Sequence, residues 1–403
     1  MRWPDPFGPV REPADAAGES HPPLGRPPAT GAWRDGDPPA DRLFAFLGEF
    51  TCEHGGVLPS LRVAYETWGE LNDERDNAIL ICHALTGDAH VDGQVMPGQA
   101  TTGWWPDMIG PGRPIDTDRF FVVASNVVGG CQGSSGPASL DARGREFGSR
   151  FPLVTIRDQV RAQAMLADAL GIDRFHTVIG GSMGGMHALE WGASFPERVG
   201  ALIVLAAPAL TSGRTIAENT LQIDAIKLDP GFRGGDYYDA PAGDGPWRGL
   251  ALARRLAMLN YRSHDELDER FGRGWQSSLS PGTGDGRYTI ESYLDFHGNR
   301  FTRRFDANSY ITLLRAMNSH DLGRGRGGVE QTLAGIECPV TVAGITSDEL
   351  FPIREQHRIA QHVPKSLTGP MAAEIISPYG HDGFLVETQQ VQRIVSAALA
   401  QSA

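Results

Sequence analysis

Two spacings of apolar residues alternate along the chain. Short, mostly apolar runs occupy residues 78–82, 120–124, 177–180, 201–205 and 340–344, with Thr177 and Thr341 the polar residues among them. Runs of this length without apolar/polar alternation fit strands covered on both faces, as in parallel sheets. Between two of them Ile156, Val160, Gln163, Ala164, Ala167 and Leu170 follow a helical period that ends at Gly171, which predicts a helix. Residues 183–194 form a second helix candidate that begins directly after a strand. Upstream, residues 44–65 read as strands with a turn at 53–56. Strands alternating with helices predict a mostly parallel α/β sheet flanked by helices.

The rhythm breaks between Thr211 and Leu322. That stretch lacks buried-strand runs and carries helix-like segments at 250–259 and 309–317, divided by Gly- and Asp-rich loops such as 281–286. A helical insertion between two strands is the simplest reading. It would lie over the carboxyl ends of the strands, where α/β sheets place their ligands. The expected organisation is a loosely attached or disordered leader over 1–42, a first core part over 43–210, a helical lid insertion over 211–322 and a second core part over 323–403. The leader is rich in Pro, Gly and charge and has no apolar stretch of signal-peptide type. No apolar run approaches the roughly 20 residues that span a bilayer, so a cytoplasmic protein with no membrane partner is expected.

Composition adds exclusions. A net charge of −13 argues against nucleic acid as partner, because phosphate binding needs an excess of Lys and Arg. The run Gly323-Arg324-Gly325-Arg326-Gly327-Gly328 reads either as a tight loop or as a basic tail, and the acidic background favours the loop. Cys52, Cys82, Cys131 and Cys338 are scattered, with no metal-ligand spacing and no disulfide pattern. No metal is expected.

The chemistry centres on Gly180-Gly181-Ser182-Met183-Gly184-Gly185, between a strand and a helix. A nucleophile elbow needs this context, because its serine sits in a strained turn and small neighbours let strand and helix approach. Serine also needs a base, and the base needs an orienting acid. Asp348 follows the 340–344 run, and His381 follows the apolar residues Ile375 and Ile376. Both fall in loops at strand ends, in the order Ser, acid, His. Glu349 and Asp382 remain rival acids. The residue after the nucleophile, Met183, would offer one oxyanion N–H. Leu85, in the loop after the 78–82 run, would offer the other, unless that loop is a plain turn.

Together these motifs resemble the homoserine O-acetyltransferase family of the α/β-hydrolase superfamily, from about residue 43 to 399. The resemblance is carried by His83-Ala84-Leu85-Thr86-Gly87-Asp88-Ala89-His90 and Gly103-Trp104-Trp105. It continues through the glycine-rich residues 126–137, Phe151-Pro152-Leu153-Val154-Thr155-Ile156-Arg157-Asp158, Arg304-Phe305-Asp306-Ala307-Asn308-Ser309-Tyr310, and Tyr379-Gly380-His381-Asp382-Gly383-Phe384-Leu385. It implies an α/β-hydrolase fold and acetyl transfer from acetyl-CoA, as co-substrate, to L-homoserine, feeding methionine synthesis without a further cofactor. It assigns Ser182, Asp348 and His381 as the triad. It aligns the binder of the substrate carboxylate to Arg254, with Arg255 one residue away as the alternative, and the binder of the amine to Asp382. It also implies a homodimer paired through the insertion. A zwitterionic amino acid needs one cation and one anion to grip it, and a guanidinium suits a carboxylate. Three rivals stay open: a succinyl-CoA-dependent or L-serine-accepting transferase, an ester hydrolase of the same fold, and a non-catalytic binding protein.

Overall fold

The computed structural model describes residues 25–278, 280–281 and 286–401. Its centre is an eight-stranded sheet. The strands are β1 (Leu43–Phe46), β2 (Arg62–Trp68), β3 (Ala78–Cys82), β4 (Phe121–Ser125), β5 (Phe175–Gly181), β6 (Val199–Leu205), β7 (Val340–Ile345) and β8 (Ala373–Ile375), in the spatial order β1-β2-β4-β3-β5-β6-β7-β8. β2 pairs antiparallel with both β1 and β4, and the other pairings are parallel. Every residue of β3 and β7 is buried. Helices cover both faces of these central strands, which is why their sequences run apolar without alternation.

Local signals set the helix ends. Helix α1 (Ile156–Leu170) starts on a capping box in which the Thr155 hydroxyl accepts from the Asp158 N–H and Asp158 bonds back to the Thr155 N–H. It ends at Gly171, in the left-handed region at φ 70°. Helix α2 (Met183–Ser194) leaves β5 at Ser182. Between β6 and β7 lie α3 (Gly213–Lys227), α4 (Trp247–Tyr261), α5 (His264–Phe271), α6 (Thr289–Phe301) and α7 (Ala307–Asn318). The neck of this insertion is pinched where Leu210 bridges Asp321, the Thr211 N–H donates to His320 and the Leu322 N–H donates to Ala209. Residues 282–285 of the loop read at 281–286 lie outside the described residues. Among the described residues no helix is long and apolar enough to cross a membrane.

The leader reading over 1–42 falls outside the described residues up to 24. From Gly25 onward the segment is bound rather than loose. The Gly31 N–H donates to Phe305, the Trp33 N–H to Cys131 and the Thr30 hydroxyl to Asp306, while Trp33 packs on Phe44. A Cβ on Gly31 would sit 2.5 Å from the Arg304 and Phe305 nitrogens, so glycine there serves close approach, a use that composition alone does not separate from disorder. The Arg-Gly run at 323–328 is a loop. Arg324 forks onto Glu53 at 2.8 and 3.0 Å, and Arg326 forks onto Glu190. Arg157 joins both carboxylates, so the run's charges are spent inside the fold.

Asp306 knots the insertion to that N-terminal segment. It is fully buried, caps α7 by accepting the Ser309 N–H, and accepts the hydroxyls of Tyr237, Tyr238 and Thr30. Removing it strands several buried donors, each worth about 1–3 kcal/mol. Asp306→Ala is therefore expected to lower stability by about 3–5 kcal/mol, read from the shift of a urea unfolding midpoint. A shift under about 1 kcal/mol would show that water replaces the carboxylate.

Candidate active site

The centre of the site follows from close packing at the β5–α2 junction. A Cβ on Gly180 would lie 2.0 Å from the Gly184 oxygen, and one on Gly184 would lie 2.0 Å from the Cys82 oxygen. A Cβ on Gly181 would strike the Phe384 ring, and one on Gly185 the Ala207 methyl. With no side chains at these four positions, α2 can start directly against β3 and β5. The turn forces Ser182 to φ 58° and ψ −124°, a conformation costing about 1–3 kcal/mol for a residue with a Cβ. Its N–H donates to Leu205 of β6 at 2.9 Å, which offsets part of that cost and fixes the serine's position.

Ser182 Oγ lies 2.8 Å from His381 Nε2, and His381 Nδ1 lies 2.6 Å from Asp348 Oδ2. All three are buried. Asp348 is held in turn, because its Oδ1 accepts the N–H groups of Leu350 and Phe351, each at 2.9 Å. The loops that carry acid and base are laced together. The Ser347 hydroxyl donates to the Ser377 carbonyl and accepts the Gly380 N–H. Gly380 has φ 63°, and a Cβ there would meet the Tyr261 oxygen at 2.7 Å. The imidazole is also boxed by rings: Phe351 edge-on at 5.1 Å, Phe384 at 5.7 Å and Tyr261 at 6.0 Å.

The other acid candidates are placed elsewhere. Glu349 is on the surface facing His264. Asp382 is buried and pairs through Oδ2 with Arg262 Nη2 at 3.2 Å. Burial by itself would favour a neutral His381. The Asp348 carboxylate, its hydrogen bond and the nearby Asp382 outweigh burial and lift His381 above the ordinary histidine value. A general base works only when neutral. The acid limb of the acylation rate is therefore expected above the usual value of about 6.5, and Asp382→Asn should move it downward. A limb that stays put in that variant would show that Asp382 does not act on the imidazole.

Met183 is the first residue of α2, so its N–H has no acceptor inside the helix. Leu85 opens the turn after β3, closed by the Gly87 N–H on the Ala84 oxygen at 2.9 Å. Leu85 and Met183 share one buried cluster with Phe351 and with Phe301 and Tyr310 of the insertion. The insertion thus packs onto the end of the sheet that carries the serine.

Arg254 and Arg255 leave α4 on different sides. Arg255 reaches Asp295 at 2.8 Å, at the protein surface. Arg254 is buried, with its guanidinium 5.4 Å from the Tyr261 ring centre and 5.1 Å from that of Phe301. Of the two, only Arg254 faces the elements around His381. The surrounding field is cationic. His297 is pushed down to about 3 by burial together with Arg254, Arg262, Arg270 and Arg300, so it stays neutral and adds no charge. Arg262 and Tyr261 received no role from the sequence. Their relation to Asp382 spans more than a hundred residues, and no local pattern marks it.

This strand order, with an elbow serine at the end of the fifth strand, defines an α/β-hydrolase-fold protein, and the family described as alpha/beta hydrolase fold matches residues 77–388. Homoserine O-acetyltransferase of Clavibacter michiganensis subsp. michiganensis (strain NCPPB 382) is 60% identical over 376 residues, 93% of this chain and 97% of that protein. The chain belongs to the homoserine O-acetyltransferase family, a family of acyltransferases. The crystal structure of homoserine O-acetyltransferase from Bacillus anthracis matches with a TM-score of 0.81 at 28% identity, covering 89% of this chain and 97% of that one. The crystal structure of esterase E22 matches with a TM-score of 0.80 at 26% identity, over 89% of this chain and 100% of that one.

Proposed function

We propose that this protein transfers the acetyl group of acetyl-CoA to the hydroxyl of L-homoserine in two steps through acetyl-Ser182, a reaction that feeds methionine biosynthesis. In the first step His381 takes the Ser182 proton as Oγ attacks the thioester carbonyl. The Met183 and Leu85 N–H groups stabilise the oxyanion. The carbon–sulfur bond breaks, and the imidazolium returns its proton to the departing CoA thiolate. In the second step His381 takes the homoserine hydroxyl proton as that oxygen attacks the acetyl carbonyl, the bond between the acetyl carbon and Ser182 Oγ breaks, and the imidazolium returns the proton to Oγ. Asp348 holds the imidazole tautomer and stabilises its cation. Acetyl-CoA is a co-substrate, and no step passes through a metal or a resident cofactor.

The observation that carries this reading is the pair of opposite charges set around Tyr261 beside the base. The Tyr261 hydroxyl feels both Arg254 and Asp382, and its ring faces His381. Arg254 would take the substrate carboxylate, and the Asp382 oxygen not held by Arg262 would take the ammonium. A hydrolase of simple esters has no use for such a pair. The likeness to esterase E22 keeps hydrolysis as the second reading. Following acetyl-CoA consumption with and without homoserine separates the two. Transfer predicts consumption that depends on homoserine, whereas an indifferent rate supports hydrolysis. Competition between acetyl-CoA and succinyl-CoA, and between homoserine and serine, tests the two substrates.

The proposal extends to a cytoplasmic homodimer paired through the insertion. Leu221 with Leu228 and Leu252 with Leu259, each pair seven residues apart on or just after the packed helices α3 and α4, are exposed, and an apolar stripe of this kind suits a shared helical face. Light scattering should give twice the 43.5 kDa chain mass, and a single-chain mass at working concentration would remove the dimer from the proposal.

A further inference from the structure

His83 is the first residue after β3 and is buried. The Val127 N–H points at its Nε2 at 3.1 Å. An amide N–H can only donate, so Nε2 carries the lone pair and the ring proton sits on Nδ1. Nδ1 lies 2.8 Å from the Ala84 carbonyl oxygen and donates to it. The same oxygen accepts the Gly87 N–H at 2.9 Å. A peptide unit is planar and trans, so the Ala84 C=O and the Leu85 N–H lie in one plane and point opposite ways. Two donors on the oxygen therefore fix the direction of the Leu85 N–H. They also polarise the unit and strengthen that N–H as a donor, by roughly 10–30% per bond in cooperative chains.

We infer that His83 is a positioning residue for the oxyanion hole, acting on the Leu85 N–H through the Ala84–Leu85 peptide plane; this rests on the reading of Leu85 as an oxyanion donor. His83 need not touch the substrate. Burial holds its ring neutral against the Ala84 bond and Asp88, and Arg304 works in the same direction as burial. The Val127 bond ties it to the loop after β4, so two strand-end loops share one strut.

Two substitutions separate this role from packing. In His83→Gln the amide reaches the place of Nε2 and can still accept from Val127, but the side chain no longer donates to Ala84, which keeps only the Gly87 bond. In His83→Asn the amide nitrogen falls near the place of Nδ1 and can donate to Ala84. Rapid-quench measurement of acetyl-Ser182 formation should show about tenfold or greater slowing for His83→Gln. The KM for homoserine should be unchanged, and His83→Asn should recover most of the rate. A wild-type rate in His83→Gln, or equal impairment of both variants, would overturn the inference. Histidine nitrogen NMR on the unmodified protein gives a check that does not depend on how the variants fold. His83 should show the neutral Nδ1–H form at about pH 7 and above, because burial holds its pKa below the ordinary histidine value, and an Nε2–H form there would contradict it. Replacing Leu85 by its α-hydroxy acid removes the N–H itself. No slowing there sinks the oxyanion reading of Leu85, and the inference with it. Slowing there but not in His83→Gln sinks the role of His83 alone.

Discussion

Ser182→Ala is expected to lower acetyl transfer by a factor on the order of 10⁴–10⁶ while leaving the fold in place. The side chain lost is one oxygen, 2.8 Å from His381 Nε2. The strained backbone at φ 58° accommodates alanine as well as serine, so thermal unfolding should move little. The loss is large because base and acid act only through that oxygen. Among the described residues the hydroxyl that His381 Nε2 reaches is that of Ser182, and the imidazole that Asp348 orients is that of His381. Activity that survives in the variant within tenfold of wild type would mean that acetyl passes directly between the substrates and that no acyl-enzyme lies on the route.

The second large effect is expected at Arg254. Arg254→Leu should reduce kcat/KM for homoserine by about 10²–10³, in line with roughly 3–4 kcal/mol for losing one partner of a buried charge-assisted pair. The rate of Ser182 acetylation by acetyl-CoA should stay near wild type, because the guanidinium serves the acceptor and not the thioester. Arg255→Leu provides the contrast. Its guanidinium pairs with Asp295 at the surface, and its loss should change kcat/KM by less than about threefold. If the two variants fall equally, or if Arg254→Leu slows acetylation itself, Arg254 is supporting the fold of α4 rather than holding the substrate.

The sheet was legible because parallel strands buried on both faces run mostly apolar without alternation, with only threonines such as Thr341 among them. The runs at 78–82 and 340–344 coincide with β3 and with most of β7. The helix at 156–170 was legible from its period and from Gly171. The elbow was legible because close approach tolerates only glycine at 180, 181, 184 and 185, leaving a mark in the sequence itself. The insertion was legible as an absence of strands and through the helix segments at 250–259 and 309–317, which fall inside α4 and α7. Its α3 carries Arg, Glu and Asp without a strong stripe and packs against α4 and α7, the latter about a hundred residues away. Segment 25–42 was misread because proline and glycine used for close packing look like the composition of a disordered leader. Asp306 stood in a motif, but its role depends on Tyr237, Tyr238 and Thr30, which only the fold assembles. The pairing of Asp382 with Arg262 likewise has no local signature.

One covalent intermediate at one atom, acetyl on Ser182 Oγ, carries the proposed transfer. Mixing the protein with acetyl-CoA in the absence of homoserine, quenching in acid and sequencing the peptides by mass spectrometry examines it directly. The prediction is one acetyl group on the peptide containing Ser182, localised to that residue and discharged as O-acetylhomoserine when homoserine is added before the quench. An unmodified Ser182 peptide under conditions where acetyl transfer proceeds, or an acetyl group whose loss homoserine does not speed, would contradict it.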